Sequence, residues 1–422
     1  MTVPTRARDT FRALRHRDYR LFFAGQLVSL VGTWTQSVAQ AWLAYRLSGS
    51  AAVLGVVAFS GQIPTFLLAS WGGAAADRFP RRSILLATQT ASMALALTLA
   101  ALTLSGSVAV PHILALAALL GMVNAFDIPA RQAFVVELVG REDLVNAIAL
   151  NSSLFNGTRV IGPAIAGVLV ARVGEGWCFL INGVSYVAVL AGLAAIRARP
   201  AASPRPEGST LARIADGFRY AAGARPVRAL LLLLGVVSLT GVPYAVLMPI
   251  FADRVLGGGA AALGILMGAS GAGALAGALT LASRRGIAGL GRWVAVSAAG
   301  FGIALLLFSL SRALWLSAAL LVPVGFFMIN QMASSNTLIQ SLVPDRYRGR
   351  VMALYTMMFM GMAPFGALAA GAAAERWGAP FAVAAGGLAA VMAAFVFARR
   401  VPSLRADVRA MMAALEEPPT SA

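Results

Sequence analysis

Residues 73–82 read Gly73-Ala-Ala-Ala-Asp77-Arg78-Phe-Pro-Arg81-Arg82 and join two long apolar runs, 52–76 and 83–105. An α-helix needs roughly 20 apolar residues to cross the hydrocarbon core of a bilayer, and both runs meet that length. One carboxylate and three arginines are crowded into the few residues between them. Such a turn belongs at a membrane surface. Gly73 would let a neighbouring helix come close. Asp77 would accept hydrogen bonds from a helix N-terminus, where the dipole favours an anion.

Working outward, the same alternation fills the chain. Of 422 residues, 59% are apolar and 12% charged, with a mean hydropathy of +0.79, whereas soluble domains carry about 25% charged residues. Apolar runs at 21–45, 52–76, 83–105, 109–136, 146–171, 177–196, 228–250, 260–282, 293–310, 313–340, 351–374 and 379–398 predict twelve transmembrane helices. Barrel strands would alternate over about ten residues, and no such segments occur. The arginine-rich N-terminus resembles the start of a signal peptide. The run after it is too long for one and lacks a small-residue cleavage site, so it is read as the first span. The expected fold is an all-α membrane protein, two pseudo-symmetric bundles of six helices.

Charge placement orients the helices. Net charge is +18, and every basic residue is arginine. With the N-terminus inside, twenty-seven arginines fall on the cytoplasmic side and five, Arg46, Arg172, Arg254, Arg312 and Arg376, on the other. Arg131 and Arg159 remain within spans. This asymmetry places both termini in the cytoplasm of a multi-pass protein of the cell membrane. The basic charge follows helix ends and forms no soluble patch, so nucleic acid is not an expected partner. Cys178 is the single cysteine, which excludes an intrachain disulfide and a cysteine metal site; His16 and His112 are too far apart to suggest a metal motif. No cofactor or metal is expected. Without any lysine there is no nucleotide-binding loop of the Gly-x-x-x-x-Gly-Lys-Ser/Thr type.

The predicted organisation is a first six-helix half over 1–196, a cytoplasmic linker over 197–227, and a second half with a cytoplasmic tail over 228–422. Residues Arg197 to Gly208 read as a loop rich in Pro, Ala and Arg. From Thr210 to Ala224, Leu211, Ile214, Phe218 and Ala221 recur every three to four residues, which predicts a short surface helix. A shift of 204 residues aligns 121–183 with 325–387 without gaps, with Gly121, Gly157, Gly162, Gly167, Gly174 and Gly183 meeting glycines. Internal repeats of this kind accompany transport sites between repeats.

The 73–82 loop resembles the signature loop of the major facilitator superfamily, Gly-x-x-x-Asp-Arg-x-Gly-Arg-Arg/Lys, with Pro80 standing where glycine is usual. The resemblance implies that Gly73, Asp77, Arg78, Arg81 and Arg82 form a conformational lock, with Asp77 meeting the start of the eleventh helix near Gly349 and Arg350. The loop from Gly277 to Gly286 keeps glycine and arginines but has no acid. Residues 11–22, Gly32-Thr33-Trp34, Pro129-Ala-Arg131-Gln132 and Val343 to Val351 resemble the branch holding the enterobactin exporter and macrolide-efflux-type proteins. That branch implies export of a drug, siderophore or metabolite. Arg159-Val-Ile-Gly162-Pro163-Ala-Ile-Ala-Gly167 resembles the antiporter signature, a kinked and closely packed helix; packing without directional meaning is the alternative.

Asp127 lies within the fourth span, about 14 Å from its cytoplasmic end. An ionised carboxylate at that depth must pair, protonate or face water. Arg131 follows at helical pairing distance. Two readings stay open: Asp127 exchanges a proton during transport, or Asp127 and Arg131 form a permanent structural pair. The repeat sets Gln331 at the equivalent point. Cavity candidates are Gln36, Gln40, Asn124, Tyr244, Asn330, Gln331 and Asn336. The expected activity is secondary, proton-coupled efflux of a small amphipathic compound by a monomer embedded in the lipid bilayer. An importer or facilitator of a polar nutrient, or a lipid-handling membrane protein, are the rivals. An enzyme is not expected, since the spans carry no nucleophile–base or metal constellation.

Overall fold

The structure, a computed structural model, describes residues 11–140, 142–196, 210–284, 286 and 289–416. All regular elements among them are helical. The first six helices are α1 Arg17–Ser48, α2 Ala51–Arg78, α3 Arg81–Leu104, α4 Val110–Val139, α5 Leu144–Val173 and α6 Glu175–Ala195. The amphipathic segment forms α7, Thr210–Gly223. The remainder comprises α8 Arg225–Thr240, α9 Gly259–Ala282, α10 Leu290–Leu310, α11 Leu314–Leu342, α12 Asp345–Thr356, α13 Met362–Trp377 and α14 Ala379–Glu416. The loop expected over Arg197 to Gly208 lies outside the described residues.

Among the described residues, eleven segments are long and apolar enough to cross a membrane, α8 continuing to Val255 as one and α12 with α13 together as another. The helix over the first predicted span, α1, has 32 residues but is not among the eleven. Its middle carries Gln26, Ser29, Thr33, Thr35, Gln36, Ser37 and Gln40. Gln26, Ser29, Thr35 and Gln36 are buried, so this part of the polarity faces protein, while Thr33 and Ser37 are exposed. The span predicted over 228–250 breaks after Thr240 into a 3-10 turn, Val242–Leu247, and a π turn, Phe251–Val255. Pro243 and Pro249 lack the N–H that a continuous helix would donate. A second π turn, Met357–Gly361, interrupts the span predicted over 351–374 just before Pro364. The last helix runs beyond the predicted limit of 398, through Pro402 to Glu416.

Two compact units form, Met1–Arg205 with Ala252–Gly268, and Pro206–Phe251 with Ala269–Ala422. Within the first, Tyr45 Oη donates to Asp253 Oδ2 at 2.8 Å and Arg254 donates to the Gly49 carbonyl at 2.7 Å. Within the second, α7 packs on α12. There Arg350 donates to Asp216 at 3.0 Å, and Tyr220 stacks on Tyr347 with ring centroids 4.6 Å apart.

Repeat-matched glycines do the same work in both units. A Cβ on Gly121 would lie 2.4 Å from the Gly61 carbonyl oxygen, and one on Gly325 would lie 1.9 Å from that of Ser270. Gly162 and Gly366 repeat the pattern, 2.3 Å from Trp34 Cβ and 2.1 Å from the Leu239 carbonyl oxygen. In hydrocarbon, close packing of small residues is a main source of helix association. The Leu239 carbonyl is the one that Pro243 cannot bond, and Gly366 brings backbone against it.

The N-terminal segment is clasped onto the start of α5. Arg12 and His16 both hold Asp143, His16 Nε2 at 2.8 Å from Oδ2. The Ala13 N–H donates to Asn146 Oδ1 at 2.9 Å, and Tyr19 Oη to the Ala147 carbonyl at 3.0 Å. The hydrogen bond from His16 is the main influence holding the Asp143 carboxyl below the usual carboxylate range; desolvation opposes it, and the hydrogen bond and charge of Arg12 add to the lowering.

A lowered carboxyl pKa contributes stability that is present above the unfolded value, about 3.9, and lost as pH falls through the folded value. Protection of the amides over residues 11–20, relative to the intrinsic exchange rate at each pH, is therefore expected to stay high at neutral pH and to fall only below about pH 4. Asp143→Asn should exchange rapidly there at pH 7. For the glycines, Gly121→Ala should lower stability by at least about 1–3 kcal/mol through overpacking. Gly157→Ala, with nothing within 4 Å of the added carbon, should be neutral or slightly stabilising, and thermal melting in detergent distinguishes the two.

Candidate functional site

The charged turn at 77–82 divides its work among three neighbours. Arg81 reaches Glu137 near the end of α4 at 2.7 Å, both side chains largely buried. Arg82 donates to the carbonyls of Leu193 and Ala194 at 2.7 and 2.9 Å. Those are orphan acceptors at the negative end of α6, where a cation is favoured. Arg78 lies over its neighbour Phe79. Asp77 is exposed. The close helix contact expected of Gly73 falls instead on Gly72, whose Cβ would sit 1.8 Å from the Ala125 carbonyl oxygen; a Cβ on Gly73 would meet nothing within 4 Å. Arg350, the residue that the resemblance pairs with Asp77, donates within its own unit to Asp216.

Deeper in the first unit, the antiparallel register set by Arg81 and Glu137 brings Thr88 and Gln89 of α3 opposite Asp127 of α4. Asp127 is 1% exposed. Its Oδ1 accepts from Thr88 Oγ1 at 2.8 Å and from Gln89 Nε2 at 2.7 Å. Its Oδ2 accepts from Arg131. Arg131 also donates to Gln26 Oε1 of α1 at 2.7 Å. Three helices thus meet in one polar network at membrane depth. It is incompletely satisfied: Gln26 Nε2, Gln89 Oε1 and Arg131 Nε are buried without a partner among the described residues. Buried polar groups are otherwise nearly always paired, so a network with open valences is a place for water or a ligand.

The sequence identified Asp127 and Arg131 but missed Gln26, Thr88 and Gln89. Polar residues within the runs 21–45 and 83–105 were the available signal. Arg159 is half-buried on α5, its guanidinium 5.9 Å from the centre of the Trp34 ring. Beside it, Gly162 abuts Trp34, and Thr35 donates to the Gly162 carbonyl at 3.3 Å. Pro163 is buried in the interior of α5, and Gly167 packs against Gly264.

The cavity candidates separate into two groups. Gln36 accepts from Asn182 of α6 at 2.7 Å. Tyr244 shares a hydrogen bond with Ser270 at 2.7 Å. Asn330 accepts from Trp293 at 3.0 Å and donates to the Phe326 carbonyl at 2.9 Å. Asn336 accepts from Gln340. All four are engaged with neighbouring side chains or backbone. Gln331, at the repeat position of Asp127, is buried with Nε2 unpartnered. Gln40 and Asn124 are half-buried and make no side-chain hydrogen bond among the described residues.

Comparison with known proteins fits this architecture. Residues 8–422 match the family model described as transmembrane secretion effector. The chain is 28% identical over 364 residues to the staphyloferrin A transporter of Staphylococcus aureus, covering 85% of this chain and 90% of that protein. It is 28% identical over 359 residues to the enterobactin exporter EntS of Escherichia coli, covering 81% of each. Among solved structures, the nucleoside transporter NupG superposes with a TM-score of 0.67 at 13% identity, over 96% of this chain and 100% of that one. The xylose transporter XylE from E. coli gives 0.69 at 16%, over 94% and 99%. The chain belongs to the transmembrane secretion effector family of the major facilitator superfamily: it is a multi-pass membrane transporter of a small molecule.

Removing one partner of the buried pair should cost far more than removing both. Arg131→Ala leaves the Asp127 carboxylate buried without a counter-charge, a loss of roughly 3–5 kcal/mol. The double variant Asp127→Asn with Arg131→Gln should recover most of it, as read from thermal unfolding of the purified protein.

Proposed function

We propose that this transporter is a proton-coupled exporter of a small amphipathic compound, with Asp127 as the group that takes up and releases the proton. The carrying observation is the chemistry around that carboxylate. Asp127 is buried and held by one cation, one hydroxyl and one amide. The Thr88 hydroxyl can donate to an ionised carboxylate or accept from a protonated one, so the network survives loss of the charge. Arg131 already bonds Gln26 and keeps a partner when Asp127 is neutral.

The direction of transport is supported by the relative named as an enterobactin exporter. Alternating access drives the cycle, with α1 as the twelfth span. Both termini lie in the cytoplasm, as the arginine partition supports.

In inverted membrane vesicles, an imposed pH gradient should drive uptake of the substrate by the wild-type protein. Asp127→Asn should abolish that uptake while leaving substrate-for-substrate exchange intact. Unchanged gradient-driven uptake by the variant would remove Asp127 from the mechanism, and uptake into right-side-out vesicles alone would make the protein an importer.

A further inference from the structure

We propose that Arg159, braced on Trp34, is the anchor for a carboxylate on the transported compound; the proposal rests on the transport reading and names the chemical class of the cargo. Arg159 sits near the middle of the 30-residue helix α5, about 22 Å from either end at 1.5 Å per residue. A hydrocarbon core of about 30 Å puts its boundary about 15 Å from the centre, beyond the reach of a snorkelling arginine. A charge held at that depth needs an anion or water.

Among the described residues no carboxylate pairs with Arg159. Within the first unit, Asp127 is held by Arg131, Glu137 by Arg81 and Glu175 by Arg46. Asp143 is held by Arg12 and His16, and Asp253 by Tyr45. Among the described residues, Arg159 has neither an ion pair nor a hydrogen bond. Its one recorded partner is the face of Trp34. A cation–π contact uses none of the guanidinium N–H donors, so the planar fork that grips a carboxylate with two parallel hydrogen bonds is left without a partner among the described residues.

The indole is itself fixed. Gly162 lies against Trp34 Cβ, and Phe155 meets the ring edge-on with centroids 5.5 Å apart. Other open valences at depth in this unit are mostly donors as well, Gln26 Nε2 and Arg131 Nε. Gln40 and Asn124 add amides without partners among the described residues. An aromatic side chain beside an unpaired guanidinium suits a small amphipath that carries a carboxylate, and disfavours a cationic one.

The test uses the full-length protein in nanodiscs at pH 7.5 and two probes of almost identical shape, salicylate and the neutral salicylamide, with binding read by isothermal titration calorimetry. Salicylate is expected to bind saturably and at least tenfold more tightly than salicylamide. Arg159→Gln should bring the two to within about twofold, and Arg159→Lys should retain part of the preference. Equal affinity of the wild-type protein for both probes, or no saturable binding of salicylate, overturns the proposal without requiring any variant to fold. Salicylate affinity unchanged in a folded Arg159→Gln protein does the same. No pH gradient is applied, so failure of the proton-coupled export reading appears in the vesicle assay and leaves this result intact.

Discussion

Hydrocarbon offers no partner to a charge or a bare peptide group, and nearly every polar feature of this chain answers to that constraint. Arg82 satisfies the last carbonyls of α6, Arg81 meets Glu137, and Asp127 is surrounded by Arg131, Thr88 and Gln89. The network around Asp127 is the element on which the first unit turns, because it ties α1, α3 and α4 together at a depth where water is scarce. Each unmet valence there is costly. Open valences nevertheless persist there, at Gln26, Gln89 and Arg131.

Much of the fold was legible because helix length and charge placement are written directly in the sequence. The runs at 52–76, 83–105 and 260–282 appear as helices with ends within two or three residues. The 204-residue shift was legible too, and Gly121 with Gly325 shows why: one close approach constrains both positions. Where reading failed, three-dimensional neighbours decided. Nothing in the local sequence distinguishes Gly72 from Gly73, and only the face turned to Ala125 does so. Thr88 and Gln89 looked like ordinary span residues until antiparallel register placed them beside Asp127. The breaks after Thr240 and around Met357 depend on how proline-freed carbonyls find company, which pattern alone does not encode.

The candidate site was partly readable for the same reason. Asp127 and Arg131 stand out as charges inside a span, and their spacing predicted contact. Arg159 stood out equally, but its partner could not be named, since an aromatic ring four helices earlier in the fold carries no charge to search for. The amides divided according to packing: Gln36 and Asn330 are fully engaged, while Gln40 and Asn124 are left open.

The broken stretch from Val242 to Val255 carries one more implication. Helix α1 is continuous and carries its polarity on side chains. In the second unit, the corresponding stretch is interrupted by Pro243 and Pro249, and the polar groups that the prolines release from helical bonding, such as the Leu239 carbonyl, belong to the main chain. Codon changes can delete the first kind of chemistry but not the second. Mutational scanning of this transporter will therefore map function heavily onto one half and sparsely onto the other, even if both contribute equally. Backbone-directed probes, such as amide-to-ester replacement at residue 240, are what would reveal the silent share.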